Sequence, residues 1–222
     1  MIYENVHVRN LANFDLLLAR IFHLGNYYHP MRSTIRVEAL STVSHNARVS
    51  LSNVDILNEQ YIEAVNQREQ AFDALKKLNQ RIAAVLEPLT GMNAMEMYLL
   101  TGCGHSPHSP FADQERYDFL LDSFRKIIHR LKVNDDYAPD APDLKIMALE
   151  NRFQTLNTLQ KEVKRSYAVL CHAQAVRDEV LYRNGSGLVP LSSMVKQYIK
   201  YHFGWNSHLY KELADIPIRK ER

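Results

Sequence analysis

The sequence predicts an all-α protein: an elongated helical bundle built from two tandem copies of a helix–turn–long-helix unit with pseudo-twofold symmetry. Three observations carry that expectation. Two stretches, Met31 to Glu87 and Asp143 to Asn184, contain neither Gly nor Pro. Apolar residues in the first of them recur on helical steps, and no segment alternates as a half-buried strand would. The chain also matches itself when slid by 109 positions. Tyr28 then meets Tyr137, Pro30 meets Pro139, Ile35 meets Leu144, Ala39-Leu40 meets Ala148-Leu149, Ala64 meets Ala173, and Arg68-Glu69 meets Arg177-Asp178. At a slightly different offset, Phe14 to Leu18 matches Tyr117 to Leu121.

The copies are expected at 1–90 and 113–205, joined by a linker at 91–112 and followed by a polar tail at 206–222. Each opens with a helix, about Leu11 to Leu24 or Gln114 to Leu131, apolar on one side. A Tyr-x-Pro turn follows, where proline interrupts any helix. Ser33-Thr34 and Asp143 are candidate N-caps for the long helices that come next. In the first long helix, Tyr61, Leu75, Ile82 and Leu89 form one line. Leu57, Ala64, Ala71, Leu78 and Val85 form a second, beside Val65, Phe72 and Leu86. That face is wide enough for a bundle. One continuous helix would run roughly 80 Å at 1.5 Å per residue, and Ser50-Leu-Ser-Asn53 is the likeliest break. In the second copy, Arg183-Asn-Gly-Ser-Gly187 ends the long helix, and a last helix spans about Leu188 to His202.

Composition narrows the function classes. The chain of 222 residues is 46% hydrophobic with a formal charge of +2, enough for a sizeable core and without the strongly basic balance of a nucleic-acid-binding domain. Two cysteines make no disulfide framework. No secretory leader and no membrane span are legible, so a soluble cytoplasmic protein with no membrane contact is expected.

The C-terminal string from Ala175 to Leu213 carries a resemblance. Arg177, Leu181-Tyr182, Gly187-Leu188-Val189, Val195-Lys196, Tyr198-Ile199-Lys200, Phe203-Gly204, Ser207 and Tyr210-Lys211 resemble the ending of a family of uncharacterised all-helical proteins from Bacteroidota. Its pattern is A-R-x-x-L-Y, T-G-L-V and V-K-x-Y-I-K-x-x-F-G. Tyr117 to Asp143 resembles that family's preceding segment. The chain departs from the pattern at Val176, Ser186 and Pro190. The resemblance implies a helical fold and supplies no catalytic residues.

Several clusters invite chemistry. Cys103, His105 and His108 could give three of a zinc ion's four ligands, yet no second paired half lies nearby, and a linker rich in small residues is the plainer reading. Cys103 as a nucleophile lacks a frame to hold a base. A di-iron bundle needs Glu-x-x-His on two helices, and the chain has one such pair, Glu4 and His7. Glu59, Glu63, Glu69, Glu150 and Glu162 read as solvated helix faces. No metal and no cofactor is therefore expected.

Arg68 and Arg177 fall at matching points of the two copies, on the apolar stripe. They could grip an anion, or pack their stems while the heads pair with carboxylates, for which Asp15 and Asp118 are the matched candidates. Lys196, Lys200, Lys211 and the final basic residues interleave with Tyr198, Tyr201, Trp205 and Tyr210. Such a segment could hold single-stranded nucleic acid, or form the rim and buried face of an amphipathic helix. The tail Ile216-Pro-Ile-Arg could pair with a neighbouring chain. The sequence thus favours a non-enzymatic scaffold or adaptor with a protein partner or self-association through exposed aromatics (Tyr27, Tyr28, Trp205, Tyr210). Nucleic-acid binding through Lys196, Lys200, Trp205, Tyr210 and Lys211 is the alternative.

Overall fold

A computed structural model of the chain describes residues 2–90 and 112–219, with side chains described for 6–85 and 116–219. Among these residues the chain forms six α-helices and no strand. They are α1 (Ile2–His23), α2 (Val37–Thr90), α3 (Ala112–Val133), α4 (Ile146–Tyr182), α5 (Leu188–Phe203) and α6 (His208–Ala214). Short 3-10 turns occupy Gly25–Tyr27, Ser33–Ile35 and Pro142–Leu144.

The long helices start later than their expected caps. Ser33-Thr34 and Asp143 lie inside the 3-10 turns rather than capping a helix. The cap positions fall to Arg36 and Lys145, both extended, whose carbonyls accept from Leu40 N (3.0 Å) and Leu149 N (3.1 Å). Asp143 instead pairs with Arg81, one guanidinium nitrogen at 3.2 Å and the other closer. α2 is continuous across the expected break at Ser50–Asn53. The reason is local: Ser50 Oγ donates to Ala47 O at 2.9 Å, so the helix itself satisfies the hydroxyl.

Both Tyr-x-Pro turns close on the same hydrogen bond. Tyr28 donates its hydroxyl to the Ile35 carbonyl, and Tyr137 donates to the Leu144 carbonyl, each at 2.6 Å. The phenol thus staples the end of a 3-10 turn whose carbonyls no helix uses. Burial pushes the Tyr28 phenol's pKa up, and the Tyr198 charge adds to the effect. Because Tyr28 is buried and Tyr137 only partly so, Tyr28→Phe should cost about 1–2 kcal/mol and Tyr137→Phe less, since a buried carbonyl left unpaired is the costly case. Urea unfolding of the two variants reads this directly, and equal losses would mean that burial does not set the effect.

The buried stripe of α2 follows steps of three and four through Leu40, Ser44, Ala47, Ser50 and Val54, then, past the half-buried Leu57 and Tyr61, through Ala64, Arg68, Phe72, Leu75, Asn79 and Ile82. Of the expected stripe, Ala64, Phe72, Leu75 and Ile82 are buried. Leu57, Tyr61, Val65, Ala71, Leu78 and Val85 are half-buried, while Leu86 and Leu89 lie outside the described side chains. α4 buries Leu149, Leu156, Val163, Leu170, Ala173, Arg177 and Leu181 in the same rhythm.

Two compact units result, and each draws on both of the expected copies. Unit 1 comprises Met1–Glu59 with Ala168–Arg222, and unit 2 comprises Gln60–Tyr167. The units thus differ from the expected boundaries at 90 and 113, because helices of 54 and 37 residues outrun any one core and each contributes a segment to both units. Unit 1 encloses Phe14, Leu17, Ile21, Leu40, Leu181, Leu188, Val195, Ile199 and Leu213. In it α5 packs on α1, on α6 and on the 33–35 turn. Unit 2 encloses Phe72, Leu75, Ile82, Phe124, Ile127, Leu131, Leu149 and Leu156.

Candidate interaction surfaces

The residue pairs singled out by the sequence reach different partners in the two units. In unit 2, Arg68 is 5% exposed, and its guanidinium carbon lies 4.0 Å from the centroid of the Tyr117 ring. Its Nη1 donates to Gln160 Oε1 at 3.3 Å, and Gln160 Nε2 donates to Asp118 at 2.9 Å. Asp118 also accepts from Lys164 at 2.8 Å. Burial acts to raise the Asp118 pKa, but the hydrogen bonds from Lys164 and Gln160, with the charges of Lys164 and Arg68, outweigh it and hold the carboxyl below its usual range. Arg68 is therefore linked to Asp118 through the Gln160 amide. A ring face suits a guanidinium that is weakly hydrated and planar.

In unit 1, Arg177 is buried and bonded to its own neighbour, Asp178, at 2.9 Å. Asp15 pairs with Arg48 at 2.6 Å and accepts a short hydrogen bond from Ser44. The expectation that Asp15 would serve a stripe arginine is corrected. Asp15 meets α2 about two turns from its start, where Ser44 and Arg48 face it at i and i+4.

The C-terminal segment is not a free polar tail. Ser207 caps α6 by accepting from Tyr210 N at 3.2 Å. Ile216 and Ile218 beyond it are buried. Asn10, 1% exposed on α1, donates to Arg219 O at 2.9 Å and accepts from Arg219 N at 3.2 Å, so one amide pairs with both backbone groups of the tail. Asn13 adds a bond to Pro217 O at 2.8 Å. From the other side Lys196 donates to the carbonyls of Ala214 and Ile216. Burial presses the Lys196 pKa below its ordinary value, and Asp215 offsets this only in part. The tail's backbone is thereby used within its own chain, which corrects the expectation that it could pair with a neighbour. Asn10→Ala should cost about 1–2 kcal/mol and speed hydrogen exchange at Ile218 and Arg219. Unchanged exchange there would mean that the clamp does not hold the tail.

Of the residues offered for nucleic acid, Lys196 is thus half-buried and spent on carbonyls. Lys200 and Lys211 are exposed, and Lys200 Nζ lies 5.8 Å from the centroid of the Tyr210 ring. Trp205 is exposed and Tyr210 half-buried. Cys103, His105 and His108 lie outside the described residues. Among those described, no three His, Cys, Asp or Glu side chains are grouped to hold a metal ion. None of the described helices is long and apolar enough to cross a membrane.

An apolar surface that the sequence did not flag lies where α1 meets the first turn. A groove of about 720 Å³ is lined by Ile21, Phe22, His29, Met31, Arg36 and Val37, among others. Phe22 is 69% exposed, Met31 97%, and neighbouring Tyr27 73%. Tyr28, expected beside them as an exposed aromatic, is buried, because its ring packs edge-on to Tyr198 at 5.3 Å. Phe22 could have been found from the sequence: α1 buries Phe14, Leu17 and Ile21, and residue 22 falls off that stripe.

Among the described residues, fold and surface together define an all-helical protein with large apolar side chains exposed beside a groove. No protein-family model, curated protein or solved structure matches the chain.

Proposed function

We propose that this is a non-enzymatic structural or adaptor protein, a helical scaffold that acts by binding protein, itself included. The exposed cluster of Phe22, Tyr27 and Met31 beside a groove carries this reading. Leaving such side chains in water forgoes about 25 cal/mol for every Å² that burial would cover, and apolar patches of this kind mark binding surfaces. We also read the chain as a tandem duplication. The matched phenol staples of Tyr28 and Tyr137, the matched 3-10 turns and the helix starts at Val37 and Ile146 support that reading, each pair 109 residues apart.

Light scattering after size exclusion, at low and high salt with absorbance at 260 and 280 nm, tests the proposal. A protein-like absorbance ratio with a mass above one chain supports it, as does a protein that co-purifies stoichiometrically. A second reading, single-stranded nucleic acid on the C-terminal segment, draws on Trp205 and Tyr201, both well exposed beside Lys200. Chains that elute with nucleic acid at low salt and shed it at high salt would replace the first reading with the second, because phosphate contacts release counterions.

A further inference from the structure

The two Tyr-x-Pro turns share a backbone and a staple but present opposite charge. Between Leu24 and Val37 the first turn carries His29, Arg32 and Arg36 and no acid. Between Asn134 and Ile146 the second carries Asp135, Asp136, Asp140 and Asp143, with Lys145 as its one cation. Position by position, Tyr27 stands where the second turn has Asp136, and Met31 where it has Asp140. Arg32, Arg36, Asp135, Asp136 and Asp140 are all exposed, and none forms an ion pair among the described residues. Asp143 is set apart by its pairing with Arg81.

Each turn is also flanked by exposed apolar groups. The first has Phe22, Tyr27 and Met31, and the second has Val133 and Met147, 70% and 75% exposed. Several charges elsewhere on these helices are balanced locally. Lys126 and Arg125 share Asp122, Lys132 meets Glu150, Arg183 meets Glu179, and Lys164 meets Asp118. Unpaired like charges gathered around exposed apolar side chains are the composition of an interface rim about its centre.

We propose that the basic first turn of one chain docks the acidic second turn of another copy, a heterologous contact between two different patches of the same protein. Arg32 and Arg36 face Asp136 and Asp140 across the rim, while Met31 and Phe22 cover Val133 and Met147. A contact of unlike patches leaves one free patch at each end of a pair, so association continues into rings or chains instead of stopping at a symmetric dimer. The charge pairs set partner choice and on-rate, and the apolar centre supplies affinity. This inference rests on the reading of the protein as a self-binding scaffold.

Sedimentation velocity over a range of concentrations at low salt, with two variants, tests it. One variant carries Arg32→Ser and Arg36→Ser, the other Asp136→Asn and Asp140→Asn. All four side chains are exposed, so both variants should keep the parent's circular dichroism. The parent should grow beyond a dimer with concentration and shrink when salt rises to ~0.5 M, where screening acts within a few Å. Each variant alone should associate at least ~10-fold more weakly, because a neutral patch then meets a charged one and the steering between opposite charges is gone. Mixed in equal amounts, the variants should form a one-to-one dimer and no more, since each supplies the patch the other lacks. Assembly undiminished in both variants would overturn the inference while sparing the scaffold reading, as would a parent that is monomeric at every concentration but binds another protein. Monomeric chains that carry nucleic acid would remove both.

Discussion

Phe124→Ala should lower the stability of the protein by about 3–5 kcal/mol. Phe124 is wholly buried in α3, among Phe72, Leu120, Ile128 and Leu131 of the unit 2 core. Truncation removes the transfer energy of a phenyl ring and leaves a cavity that packed helices fill only in part. Against a typical total of about 5–15 kcal/mol, such a loss is large. Phe22→Ala is the matched control. Its ring stands on the surface of α1, so the change should stay within about 0.5 kcal/mol. Urea unfolding of both variants measures the contrast. A loss below 1 kcal/mol for Phe124→Ala would mean that this ring does not sit where the fold puts it.

Gly187→Ala should cost about 1–3 kcal/mol, for a reason that dihedral angles alone would miss. Gly187 precedes α5 with φ −73°, a conformation any residue adopts. A Cβ there, however, would lie 2.6 Å from Arg183 N and 2.9 Å from both Arg183 O and Tyr182 N, all backbone atoms. The Gly187 amide donates to Arg183 O at 2.7 Å, so the chain turns back on the last turn of α4 with no room for a side chain. Opening that turn shifts Leu188, fully buried in unit 1. Gly185 is the reverse case. Its φ of +80° favours glycine, yet no atom lies within 4 Å of an added Cβ, so Gly185→Ala should cost only the left-handed penalty of about 1–2 kcal/mol. Thermal melts of the two variants, with Ser186→Ala as control, separate crowding from backbone strain. A neutral Gly187→Ala would refute the close approach.

Part of the candidate surface could be read from the sequence. Tyr27 and Trp205 were expected to be exposed and are. The opposite charges of the two Tyr-x-Pro turns are plain once the turns are aligned. Phe22 and Met31 were not singled out, since neither belongs to a motif, and Tyr28 was assigned to solvent although Tyr198 covers it. Which aromatic in a Tyr-Tyr pair faces inward depends on the element that lies over it, here α5, and that element arrives some 170 residues later in the chain.

The sequence by itself determined the helices. Absence of Gly and Pro, and apolar residues at steps of three and four, set where most of α2 and all of α4 run, and Leu40, Phe72 and Leu149 were bound to be buried somewhere. Periodicity specifies a helix's face because that face is a property of the helix alone. What covers the face is a property of two segments, and only the tertiary structure decided it. It divided the chain into one unit that joins its two ends and another formed by residues 60–167. It set Arg68 on the Tyr117 ring with Gln160 between it and Asp118, and gave Arg177 only its own neighbour. It also turned Ile216 to Arg219, four residues too short to carry any period, into a docked strap that buries Ile216 and Ile218, because Asn10 on α1 and Lys196 on α5 happen to offer that backbone the hydrogen bonds it would otherwise make with water.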